Sequence, residues 1–172
     1  MADITKIVPF ILKWEGGFSH DPLDLGGATN KGITLATFQH YRKLKGLPIP
    51  SVEDLKHITD AEWLDVLKTL FWDKWQGDKI KSQSVANCLV DWFWGSGYDG
   101  IKVPQRLLGV VSDGIVGAKT IEAVNNQDAY LFWLHLLDER RIYIDKIIRY
   151  NPSQSRFKVG WLNRINDLKF VI

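Results

Sequence analysis

Ile4, Ile7, Val8, Ile11 and Leu12 fall at i, i+3, i+4, i+7 and i+8, the spacing of a helix with one apolar face. That pattern predicts a helix from about Asp3 to Trp14. Gly16-Gly17, Asp21-Pro22, Gly26-Gly27 and Gly32 follow within a short stretch, so the helix should give way to a turn-rich segment with room for a short hairpin. Thr34 is placed to cap a second helix running to Leu44, and Thr59-Asp60-Ala61-Glu62 reads as a capping box that opens a third, reaching about Trp75. From Ser82 to Trp94 the apolar positions Val85, Cys88, Leu89, Trp92 and Phe93 occupy more than one side, which predicts a central buried helix ended by Gly95-Ser96-Gly97. Further helices are expected at Val103–Leu108, Ala118–Asn125, about Ala129 to Tyr150, and about Phe157 to Leu168. No long alternating pattern, internal repeat, low-complexity segment or clear linker appears. The expected fold class is therefore mainly α, with the Gly-rich turn segment after the first helix.

Composition narrows the class without naming a function. The 172 residues are 45% hydrophobic and 24% charged, ordinary for a globular chain and incompatible with general disorder. Eight Trp, five Tyr and eight Phe exceed what a core of this size calls for, so some rings should line a surface. The single Cys88 excludes an intramolecular disulfide and reads as a buried thiol. Ile7 to Leu12 is bracketed by Lys6 and Lys13, which does not read as an export signal, and no run is long enough to span a membrane. Residues 1–100 hold 11 Lys/Arg against 13 Asp/Glu, and residues 101–172 hold 11 against 7. The positive excess gathers in residues 140–169, which suits an anionic polymer or simply a solvated helix face.

The segment Trp14 to Thr34 is the most informative. A calcium loop counted from Asp21 fails, because Leu23, Leu25 and Gly32 stand at positions 3, 5 and 12. A phosphate loop fails because Gly27-x4-Gly32 is followed by Ile33 rather than Lys. His20, Asp21 and Asp24 make a weak metal pattern that turn capping explains as well. Glu15 is different. It falls at a helix C-terminus, where the macrodipole works against an anion, and this placement favours the protonated carboxyl that a general acid needs. The alternative is a frayed end with Glu15 in water. Asp24 follows nine residues later, then Thr29 and Asn30. These supply the parts of a glycoside hydrolase: an acid, a second carboxylate, and a group that orients water. Asp21 competes with Asp24 for the second role.

The spacing Glu15-x8-Asp24-x4-Thr29 resembles that of phage-type lysozymes, which carry one more residue before the Thr; here Asn30 occupies that next position. A closer resemblance is to the glycosyl hydrolase 108 family of bacterial and prophage N-acetylmuramidases, some members of which were first labelled secretion activators. Glu15-Gly16-Gly17-Phe18 is similar to that family's hallmark. Asp21-Pro22-x-Asp24-x-Gly26-Gly27-x-Thr29-Asn30-x-Gly32-Ile33-Thr34 follows it. Asp113-Gly114-Ile115-Val116-Gly117-x-x-Thr120 and Gly160-Trp161-Leu162-Asn163-Arg164 resemble the family's C-terminal peptidoglycan-binding region. One departure is Gly95, where the family leads one to expect Asn.

The resemblance implies a lysozyme-like fold with a catalytic region over 1–98 and a peptidoglycan-binding region over 99–172, packed as one compact unit. It implies Glu15 as the essential residue, with Asp24 and Thr29 as helpers. Asn30, Asp21 and Asp91 are expected at the substrate, with Trp94, Tyr98 and Trp72 as sugar platforms. Trp63, Trp92 and Trp133 are assigned to the core. Arg164 could clamp a stem-peptide carboxylate or pair with Asp167. The implied activity is cleavage of the β-1,4 bond between N-acetylmuramic acid and N-acetylglucosamine by a monomer with no metal or organic cofactor. Its partner would be peptidoglycan glycan strands, not nucleic acid or a membrane interior. Action in the periplasm or wall would then need a holin or dedicated secretion machinery, as in an endolysin. A lytic transglycosylase and a non-catalytic wall-binding or secretion accessory protein are the rival readings.

Overall fold

The computed structural model describes residues 1–20 and 27–171. The fold is mainly α and lysozyme-like, with one two-stranded hairpin among the described residues. The chain forms two compact units, Ile4–Asp73, and Met1–Asp3 together with Lys74–Ile172.

In the first unit a 3₁₀ turn, Ile4–Lys6, leads into α1, Val8–Trp14. The paired strands β1, Thr29–Asn30, and β2, Ile33–Thr34, follow. Next come α2, Leu35–Leu44; α3, Val52–Lys56; and α4, Asp60–Leu67. Thr34 caps α2 by accepting from the Thr37 N–H. Thr59 caps α4 through the Glu62 N–H, while the Glu62 carboxylate pairs with Arg42 of α2 at 2.6 Å. Beside that pair, Tyr41 donates to Asp65 at 2.6 Å and Lys45 pairs with the same carboxylate at 2.9 Å. Burial, then the bond to Asp65, pushes the Tyr41 phenol up to about 12. The Lys45 and Tyr41 bonds hold Asp65 below the usual carboxylate range. The helix expected to run to Trp75 changes pitch after Leu67 and continues as a π-helical turn, Lys68–Trp72. Trp72 is fully buried there, so it is core and not a sugar platform.

The second unit is organised around α5, Gln83–Ser96, which buries Val85, Cys88, Leu89, Trp92 and Phe93 as its periodicity requires. Burial pushes the Cys88 thiol up to about 11. Helix α6 spans Asp99–Leu107, starting four residues earlier than expected. Its Gly100 lies on the backbone of α5, since a Cβ there would sit 2.4 Å from the Phe93 nitrogen. The remaining helices are α7, Ala118–Asn125; α8, Ala129–Tyr150; and α9, Lys158–Asp167, with a 3₁₀ turn at Pro152–Phe157 before the last. Within this unit α5 packs on α6 and α8. Trp63, Trp92 and Trp133 are buried.

A glutamate seated on a glycine hairpin

Helix α1 stops at Trp14. Glu15 is its C-cap, with extended backbone angles (φ −95°, ψ 143°), and its N–H still reaches the Ile11 carbonyl at 3.0 Å. The chain then returns alongside β1, where Ser19 and Thr29 exchange two backbone bonds of 2.9 and 2.8 Å.

The hairpin that Thr29 begins has a two-residue loop, Lys31-Gly32, between the paired residues Asn30 and Ile33. Both loop residues have positive φ, 48° and 80°, the geometry of a type I′ turn that matches the twist of the strands. Gly32 suits that conformation. Lys31 does not, and it is held by outside contacts: its carbonyl accepts from Trp63 Nε1 at 2.9 Å, and its ammonium pairs with Asp60 at 2.9 Å. The Asn30 amide donates to the carbonyls of Leu55 and Lys56 at 3.0 and 3.1 Å. Both carbonyls belong to the last turn of α3, and the Leu55 oxygen also accepts from the Ile58 N–H at 3.2 Å. The hairpin is thereby tied to both α3 and α4.

Glu15 meets this hairpin at Gly32. A Cβ on Gly32 would lie 2.6 Å from Glu15 Cδ and 2.7 Å from both Cγ and Oε2. The carboxyl therefore occupies space that any other residue at position 32 would fill. A half-buried carboxyl is thus held between a helix end and a braced turn, the rigid placement that a positioned proton donor requires.

The expected site residues separate on inspection. Glu15, Thr29 and Asn30 share the hairpin region, but the Asn30 side chain is buried and bound to α3. It is a strut, a correction to its expected place at the sugar. Asp21 and Asp24 lie outside the described residues. Asp91, in the second unit, is fully buried. One of its oxygens accepts from Arg140 at 2.7 Å, the other from Arg164 at 2.7 and 3.1 Å. A carboxylate enclosed between two guanidinium groups holds α5, α8 and α9 together and cannot greet a sugar, so that expectation is also corrected. Arg164 likewise finds a partner that its own neighbourhood did not suggest. Asp91→Ala is expected to destabilise the protein by about 3–5 kcal/mol, because it leaves buried cations uncompensated. Urea unfolding checks this, and an unchanged midpoint would refute the structural role. Trp94 is half-buried and Tyr98 is 57% exposed, its ring 5.6 Å from Phe93.

Three contributors carry no assigned role in the sequence reading. Gly32 and Lys31 were readable as a two-residue turn between Thr-Asn and Ile-Thr. Phe18, 37% exposed with Lys56 over its ring at 5.8 Å, was readable as the aromatic of the Glu15 motif. In the second unit the Asp113-Gly114 turn is locked by Gln105, fully buried, which accepts from the Gly114 N–H at 2.9 Å and donates to the Ile115 carbonyl at 3.0 Å. The Ile115 N–H, donating to Asp113, holds that carboxyl below the usual range. Among the described residues no three His, Cys, Asp or Glu side chains are grouped to hold a metal ion, and no helix is long and apolar enough to cross a membrane.

Residues 8–97, built around Glu15 and its hairpin, match the family described as Glycosyl hydrolase 108. The chain belongs to the glycosyl hydrolase 108 family. Residues 99–166 match the family described as Predicted Peptidoglycan domain. Together the two matches give this glycosyl hydrolase 108 member a peptidoglycan-related hydrolase or binding role. The chain is similar to the solved structure of SagA from Brucella abortus, at 31% identity over 96% of this chain and 90% of that one, with a TM-score of 0.79. Comparison with curated proteins gives no match.

Proposed function

We propose that this chain is an N-acetylmuramidase that cleaves the β-1,4 bond between N-acetylmuramic acid and N-acetylglucosamine in peptidoglycan. The observation that carries the proposal is the Glu15 carboxyl seated on Gly32 in a braced hairpin, inside the segment that matches a glycosyl hydrolase family. Glu15 would protonate the glycosidic oxygen as the bond to the anomeric carbon breaks. Asp24 is proposed to stabilise the oxocarbenium-like centre or to take the proton of the attacking water, and Thr29 to orient that water. Phe18 at the same turn, and Trp94 and Tyr98 in the second unit, are proposed as faces for pyranose rings. The predicted peptidoglycan domain would hold the wall, and the protein would act there as a monomer after holin-type or dedicated export.

Incubating the purified chain with dye-labelled sacculi tests this reading. The expected result is release of soluble dye with new reducing ends. Pelleting with the wall and no release would leave a binding protein and remove the enzyme.

A further inference from the structure

The basic stretch of residues 140–169 is less uniform than its composition suggests. Arg140 and Arg164 are engaged by Asp91, Arg141 by Asp138 at 2.6 Å, and Lys158 by Asp145 at 2.8 Å. Like Arg149, Arg156 and Lys169, Lys146 has no carboxylate within ion-pair distance among the described residues. The same holds for Arg106 on α6, whose guanidinium donates only to the Ser112 hydroxyl, at 3.2 Å. These two cations line one cleft of ≈ 450 Å³ between α6, the second half of α8 and the turn that follows it. That volume lies within the range of small-ligand sites, roughly 300–1,000 Å³.

The rest of the cleft sorts by chemistry. Val103 and Ile147 supply apolar wall. Tyr143 donates to Asp99 at 2.9 Å, so the Asp99 carboxylate is already engaged. Glu139, half-buried in the lining, has no cation within ion-pair distance among the described residues. Tyr150 is 91% exposed at the rim. Two uncompensated cations, one uncompensated acid and an open aromatic face suit a short zwitterionic peptide joined to a sugar. They do not suit a neutral glycan, which brings no charge to meet them, or a polyanion, which Glu139 would repel.

We propose that this cleft binds the uncrosslinked stem peptide of peptidoglycan. Its free carboxylates meet Arg106 and Lys146, the ammonium group of its diamino acid meets Glu139, and the adjoining sugar lies against Tyr150. The inference rests on the wall-directed reading above but not on Glu15 being a proton donor.

The test uses the full chain carrying Glu15→Gln, so that the glycan persists, and measures binding to sacculi anchored to a surface through their glycan strands, with the stems intact or removed by an amidase. Arg106→Ala with Lys146→Ala is expected to weaken binding to intact sacculi at least about tenfold, since charge-assisted bonds are the stronger kind. Removing the stems should weaken the unsubstituted cleft to the same extent. Arg149→Ala, an exposed cation outside the lining, should change little. Both cleft cations are exposed, so thermal melting should confirm folding in every variant. Equal binding to stripped sacculi, or an equal loss from Arg149→Ala, would overturn the proposal. Lost dye release from the native chain with stem-dependent binding retained would remove the hydrolase reading alone.

Discussion

Glu15→Gln is expected to reduce release of soluble wall fragments by about 10²–10⁴-fold, the contribution typical of a positioned general acid. The change is nearly isosteric. The amide can rest on Gly32 as the carboxyl does, the backbone bond from residue 15 to Ile11 is untouched, and the melting temperature should stay close to that of the native chain. What the amide lacks is a proton to give to a departing sugar oxygen. Activity and stability should therefore separate. Full lysis by the variant would show that Glu15 is an ordinary helix end. Loss of both lysis and folding would show a structural role instead.

Gly32→Ala should lower both quantities, for two different reasons. The backbone at residue 32 has φ +80°, which costs an L residue about 1–2 kcal/mol. Separately, the new methyl would lie 2.6 Å from Glu15 Cδ, so the carboxyl must move by something approaching an ångström. A misplacement of that size can cost on the order of 10²-fold in rate. Gly46→Ala separates the two effects. Gly46 has φ +67° and, among the described residues, nothing within 4 Å of a Cβ, so it carries the backbone penalty without the contact. Denaturant unfolding should show similar losses for both variants, while dye release should fall only for Gly32→Ala. Equal activity in the two would mean that the contact between Glu15 and Gly32 has no catalytic consequence.

The elements that were legible in the sequence are those whose information is local. Helices α7 and α8 begin and end where read, at Ala118–Asn125 and Ala129–Tyr150. For α8 the Asp128 carboxylate accepts from the Leu131 N–H, a cap that the sequence displays. Helix α3 was missed because five residues are too few to show a period, although Ser51-x-x-Asp54 is a complete capping box. The turn at Lys68–Trp72 was read as ordinary helix because Leu70 and Trp72 are buried and Phe71 half-buried, and an apolar run without a polar face carries no pitch.

The site divides in the same way. Glu15 stood out because its charge opposes its position at a helix end. Asn30 was misplaced because a carbonyl pair 25 and 26 residues away claims its amide. Asp91 was misplaced because its two arginines lie 49 and 73 residues along the chain. Nothing beside Asp91 in the sequence announces them. Gly32 looked like one turn glycine among several until the Glu15 carboxyl was found against it.

Glu15 is proposed to drive hydrolysis of the bond on the reducing side of N-acetylmuramic acid. Mass spectrometry of the soluble fragments from purified sacculi, after borohydride reduction, tests it most directly. The predicted products end in reduced N-acetylmuramic acid and vanish with Glu15→Gln. Fragments ending in 1,6-anhydro-N-acetylmuramic acid, or in reduced N-acetylglucosamine, would contradict it.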